Sequence, residues 1–214
     1  MKGIFEVHLI TTYEHQTKLF AFITDLDDKR LIRPRPTCAQ ALYGDHPVQP
    51  MLTTWINGTI DDIKSMVELL RLDMIDKGIP IIRTKIEAMA HNEGVPNECI
   101  DDHYFEFHFK VPISNTAQWN DIVRLIIPFG GHLFYNPYSK TLNPIVTLRR
   151  YTSLPDLEEV YLNVKTILEK HNFVLTSLEK EYSVYDSNVN LDKNWLFLDD
   201  PINQITEISP KMLF

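Results

Sequence analysis

Two stretches of the chain alternate apolar and polar residues in nearly the same letters. Ile4-Phe-Glu-Val-His-Leu-Ile10 sets Phe5, Val7 and Leu9 against Glu6 and His8, and His103-Tyr-Phe-Glu-Phe-His-Phe-Lys110 sets Phe105, Phe107 and Phe109 against Glu106 and His108. Alternation with period two is the mark of a half-buried strand. Other landmarks recur at a shift of 94 positions: Pro50 and Pro144, Thr53 and Thr147, Thr59 and Ser153, Asp62 and Asp156, Gly78 and Asn172, Glu87 and Glu181. A fixed offset is the signature of an internal repeat.

The repeated landmarks punctuate helices. Thr59-Ile-Asp-Asp62 and Ser153-Leu-Pro-Asp156 each place a hydroxyl three residues before an acid and ahead of an apolar run, a capping-box pattern with Asp in the acid position. Ile63, Met66, Val67, Leu70 and Met74, and Leu157, Val160, Tyr161, Val164 and Leu168, then keep three-to-four spacing. Gly78 and Asn172 tolerate the left-handed backbone that ends a helix. The predicted elements are strand 4–11, helix 14–24, a short edge strand at 31–36, loop 37–50, strand 51–56, helix 60–77 and strand 80–89. After a polar connector come strand 104–112, helix 116–127, strand 132–135, strand 145–151, helix 155–171 and strand 173–185.

The order β-α-β-β-α-β, found twice, predicts an α+β protein of tandem duplicated ferredoxin-like units, with two antiparallel sheets facing across a central cleft. The expected division is repeat 1 at 1–90, a linker at 91–103, repeat 2 at 104–185, and a tail at 186–214 that packs back through Trp195, Leu196 and Phe197. Parity puts Glu6, His8, Glu106, His108 and Lys110 on the face away from the helices. Thr53, Trp55, Thr147, Arg149, Arg83, Lys85, Glu87 and Glu181 join them there.

A net charge of −8 argues against duplex nucleic acid as a partner. The two cysteines, Cys38 and Cys99, have neither metal-site nor disulfide-framework spacing, which fits a reducing compartment. The chain begins strand-like without a charged-then-apolar leader, and no run approaches the roughly 18 apolar residues of a span. A cytoplasmic protein with no membrane segment is expected.

Two histidines across a cleft, with cations to neutralise an oxyanion, fit phosphoester chemistry. His8 and His108, supported by Glu6 and Glu106, are the expected proton-transfer residues. Lys110, Arg149, Thr53, Thr147, Trp55, Arg83 and Lys85 are the expected contacts to a small phosphorylated molecule or nucleotide. In architecture the chain resembles the two-histidine phosphoesterase superfamily, which implies one histidine per lobe in a His-x-Thr or His-x-Ser motif. Ile10 and Lys110 stand where that hydroxyl belongs, so the resemblance is one of topology. No cofactor is required by that chemistry. The alternative set His8, Glu87, His108 and Glu181 has the donors of a divalent-metal site. It is similar to the first-strand histidine and last-strand glutamate of vicinal-oxygen-chelate modules, without their fold. Glu106-x-His108-x-Lys110 resembles the Glu-x-Glu-x-Lys strand of triphosphate-tunnel enzymes with its central Glu changed. The remaining class is a non-catalytic ligand-binding or interaction protein.

Overall fold

A computed structural model describes residues 1–27, 34–41, 44–139, 143–193 and 195. Eight strands, β1 (Lys2–Ile10), β2 (Arg35–Ala41), β3 (Val48–Thr59), β4 (Arg83–Met89), β5 (Tyr104–Lys110), β6 (Gly131–Tyr135), β7 (Ile145–Arg150) and β8 (Thr176–Asp186), alternate with four helices, α1 (Gln16–Asp27), α2 (Ile60–Asp76), α3 (Thr116–Ile126) and α4 (Leu154–Lys170). All neighbouring strands are antiparallel, and they close into one barrel in the order β1-β3-β2-β6-β7-β5-β8-β4.

This overturns the expected tandem duplicated ferredoxin-like fold, its two sheets and its cleft, and with them the description of the chain as an internal ferredoxin-like duplication. The strands assigned to separate units share hydrogen bonds at two seams. At one, Ala88 stands opposite Tyr182 and Met89 opposite Glu181; at the other, Ala41 stands opposite Phe134. A sheet face left bare by its helices still needs cover, and closing on itself covers it and removes the sheet edges as well.

The helices lie outside the barrel. Phe5, Val7, Leu9, Phe105, Phe107 and Phe109 point outward into a core shared with Ile63, Leu70, Met74, Leu157, Val164 and Leu168, all 1% exposed or less. Burying one such side chain contributes about 1.5–3 kcal/mol relative to exposing it. Both capping boxes form: Asp62 N donates to Thr59 Oγ1 at 3.3 Å, and Asp156 N to Ser153 Oγ at 3.1 Å. Gly78 and Asn172 stop their helices at φ of 63° and 64°.

Three boundaries differ from the sequence reading. Much of the loop expected at 37–50 is strand, since β2 runs Arg35–Ala41 and β3 begins at Val48. Of the edge strand predicted at 31–36, residues 31–33 lie outside the described residues, and Arg35 and Pro36 open β2. The connector at 91–103 is stitched to the body by isolated bridges, Lys2 to Glu93 and Glu98 to Ser153.

One barrel end is sealed by the segment after β8. A 3-10 turn at Val189–Asp192 buries Leu191 and Asp192, and Trp195 beyond it is 4% exposed. Gly44, at φ 103°, gives that indole its room, because a Cβ there would stand 1.9 Å from Trp195 Cδ1. Leu196 and Phe197 lie outside the described residues.

Candidate active site

The residues facing away from the helices line the barrel interior, around a cavity of ≈ 350 Å³. The strands bring Glu6, His8, Thr53, Trp55, Arg83, Lys85, Glu87, Glu106, His108, Lys110, Thr147, Arg149 and Glu181 to its wall, so every site residue expected from the sequence faces one space. Arg35, Trp55, Lys110 and Glu179 are exposed at one end, whereas Arg83, Arg149 and Asp192 are buried toward the sealed end.

Seven side chains close a ring inside it. His8 Nε2 lies 3.3 Å from Glu87 Oε2, and Glu87 Oε1 lies 2.6 Å from Lys85 Nζ. Lys85 also donates to Glu106, whose Oε2 is 3.5 Å from His108 Nε2. His108 Nε2 reaches Glu181 Oε2 at 3.3 Å; Glu181 abuts Glu6, and Glu6 Oε1 returns to His8 Nε2 at 3.6 Å. Around the ring, acid alternates with base except where Glu6 meets Glu181.

That junction decides the charge. Burial first, and then the Glu181 carboxylate, push Glu6 well above the usual carboxylate range. Burial would also raise Glu181, but the hydrogen bond and charge of His108 outweigh it and hold Glu181 low. Against burial, Arg149 and Lys85 keep Glu106 well below the ordinary value. Against burial again, Glu106 and Glu181 raise His108 well above 6.5. Glu6 is thus biased toward keeping its proton beside the ionised forms of Glu181 and Glu106, with Lys85 and His108 biased toward their cationic forms.

Threonine hydroxyls orient both imidazoles from behind. Thr53 Oγ1 is 2.9 Å from His8 Nδ1, and Thr147 Oγ1 is 2.7 Å from His108 Nδ1. Each threonine sits directly across from its histidine on the neighbouring strand. With Nδ1 engaged, Nε2 is the atom turned to the carboxylates.

The buried basic residues do not stand free. Arg83 forms a bidentate pair with Asp186 at 2.9 and 2.6 Å and also donates to Asp192. Arg149 Nε donates to Glu106 Oε1 at 2.7 Å, Nη2 donates to Asp192 Oδ2 at 2.6 Å, and the guanidinium stacks 4.3 Å over Tyr104. Lys110 and Arg35 at the exposed end have no ion-pair partner among the described residues; Arg35 lies 5.6 Å from the Trp55 ring. For metal binding, donor atoms of Glu87, Glu106 and His108 lie within 4.8 Å of one another. The Lys85 ammonium already stands between those two carboxylates.

Four participants escaped the sequence reading: Tyr104, His132, Asp186 and Asp192. Tyr104 shares the parity of Glu106 and was legible in principle, and its hydroxyl donates to Asp186 Oδ2 at 2.6 Å. His132 is buried in β6, 5.6 Å from the Trp195 ring. Asp186 ends β8, one residue past the predicted strand 173–185. Asp192 lies beyond the repeats, and nothing local in its sequence marks its partners.

Among the described residues, no helix is long and apolar enough to cross a membrane. No family model matches the chain, and no curated protein matches it. Among solved structures, an anthrone oxidase-like protein aligns at 13% identity over 87% of this chain and 93% of its own, with a TM-score of 0.27. The acetolactate synthase small subunit from Thermotoga maritima aligns at 13% identity over 84% of this chain and 96% of its own, also with a TM-score of 0.27. Likeness at that level carries neither a fold nor an activity over to this chain.

Proposed function

We propose that the barrel is an acid–base enzyme acting on a small organic molecule held in its interior. The observation that supports it is the closed ring of His8, Glu87, Lys85, Glu106, His108, Glu181 and Glu6. Proton donors and acceptors of different character sit side by side there, away from bulk water. His8, braced by Thr53, is the base, and Glu6 and His108 are the acids; a positioned pair of this kind typically contributes about 10²–10⁴-fold. Free cysteines at 38 and 99 suit a reducing compartment such as the cytoplasm.

Phosphoester hydrolysis is one reaction of this type, with His8 and His108 as its proton-transfer pair. It asks for cations free to meet an anion beside the histidines, whereas Arg83, Lys85 and Arg149 are each committed to carboxylates and the unpaired Arg35 and Lys110 stand at the exposed end. Proton transfer at a carbon or a carbonyl asks for none, and is the better supported chemistry.

A second reading, a divalent-metal site, is favoured by the convergence of Glu87, Glu106 and His108. It requires the Lys85 ammonium to move aside.

The test is a panel of enolisable keto acids, scored by deuterium incorporation in D₂O, beside nitrophenyl phosphates and cyclic nucleotides, each run with EDTA and with Mn²⁺. Deuterium incorporation that falls about 10²-fold or more in His8→Gln is the expected result. Turnover indifferent to His8→Gln overturns the reading, and turnover that appears only with Mn²⁺ transfers it to the metal site.

A further inference from the structure

Asp192 is held as though it were a bound ligand. Its Oδ1 accepts from Arg83 Nη1 at 2.8 Å and Gln49 Nε2 at 3.3 Å, and its Oδ2 accepts from Arg83 Nη2 at 2.9 Å and Arg149 Nη2 at 2.6 Å. Two donors meet each oxygen, which is how planar forks match a carboxylate. The donors come from three strands, β3, β4 and β7, and are 3%, 3% and 6% exposed for Gln49, Arg83 and Arg149. The acceptor comes from no strand at all.

Among the described residues, the backbone of the segment that delivers it meets the body through Asp45 N to Lys193 O at 3.3 Å and through Gln49 Nε2, which donates to the Leu191 carbonyl at 3.2 Å. The rest of the hold is side-chain packing and the Asp192 carboxylate itself. Asp192 lines the same cavity as the ring. Arg149 joins the two, with one nitrogen on Asp192 and another on Glu106.

We propose that the Asp192 carboxylate is a resident stand-in for a carboxylate on the barrel's ligand. Arg83, Arg149 and Gln49 form an oxyanion seat that a small organic acid takes when the Val189–Asp192 turn withdraws. This rests on the reading of the cavity as a small-molecule site and names the substrate class: an organic acid whose carboxylate lies on the two arginines and whose reactive carbon lies toward His8 and Glu6. In the free protein the segment gives a second carboxylate to two buried guanidinium groups that already hold Asp186 and Glu106, and losing a buried counter-charge is destabilising. A tethered group competes at an effective concentration in the millimolar range, so an external acid displaces it only well above that level.

Chemical rescue tests this. Asp192→Ala should lower the melting temperature by on the order of 10 °C. Formate or acetate at about 100 mM should restore most of that loss in a saturable way, with chloride at equal ionic strength as the control. In the wild-type protein the same acids should speed amide exchange of residues 189–193 as the segment leaves. If Asp192→Ala does not fold, Asp192→Asn is used, because it keeps the volume and removes the charge. Rescue no better than chloride overturns the proposal, as does unchanged exchange at 189–193; rescue by inorganic phosphate alone overturns the carboxylate assignment. These readouts are stability and exchange, so their failure is separate from failure of the acid–base reading, which is scored by turnover in His8→Gln.

Discussion

Glu106 and Arg149 stand opposite one another on β5 and β7, and Arg149 Nε donates to Glu106 Oε1 at 2.7 Å with both side chains almost wholly buried. The pair links the ring, through Glu106, to the sealed barrel end, through Asp192. Removing one partner strands a buried charge, so Arg149→Met should cost about 3–5 kcal/mol. Adding Glu106→Gln to that variant should return part of the loss. Urea denaturation of the two single variants and the double variant measures the coupling, and strict additivity would show that the pair does not interact.

The two interior histidines of β5 and β6 should pull stability in opposite directions with pH. Burial lowers His132 to about 4, and its Nδ1 meets no partner among the described residues. Its unfolded value is about 6.5, so its contribution is whole above that pH and is lost as pH falls toward 4, amounting to about 3 kcal/mol. His108 is raised, so its contribution is whole below about 6.5 and is lost as pH rises through its folded value. His132→Phe, which keeps a ring against Phe134 and Trp195, should flatten the decline between pH 6.5 and 4. Unfolding free energies at pH 7 and pH 5 check it; an unchanged slope would mean that His132 titrates alike in the folded and unfolded chain.

Thr59→Ala and Ser153→Ala should each cost about 1 kcal/mol, because each removes the hydroxyl that accepts from the third helical amide. The two caps belong to different helices, α2 and α4, so the double variant should lose the sum to within about 0.5 kcal/mol. Thermal melts of the three variants suffice. A double loss well above the sum would mean that the helices fold as one unit against the shared outer core.

These caps were also the most legible part of the chain, because capping and helix-face spacing are local. The faces of the strands were legible for the same reason: parity alone separated Phe5, Val7 and Leu9 from Glu6 and His8. Partner choice is not local. Nothing in Ala88 or Tyr182 announces that the two are neighbours, and the same alternation serves an open sheet or a closed barrel. The site inherits that division. The acids and histidines of β1 and β5 were found by alternation, and Glu87 and Glu181 by repeat. Asp192 and His132 were missed, because each acquires its role from a contact distant in sequence.

The acid junction of the ring gives the sharpest contrast between two glutamates of the same motif. Glu6, raised by burial and then by Glu181, keeps in the folded state a proton that the unfolded chain releases above about 4.3. Retaining it costs stability as pH rises, until the folded value is passed. Glutamine carries the equivalent donor permanently, so Glu6→Gln should match wild type near pH 4.5 and exceed it at pH 8. Glu106, held ionised by Arg149 and Lys85, should behave in reverse. Glu106→Gln takes one carboxylate from each of two buried cations and should be the less stable protein at pH 8, with a deficit that stays level down to about pH 4.3 and shrinks only below it. Unfolding free energies of the two variants across pH 4.5 to 8 decide the matter. A Glu6→Gln protein as damaged at pH 8 as Glu106→Gln would mean that Glu6 is ionised, and the ring would then need a cation, not a proton, between Glu6 and Glu181.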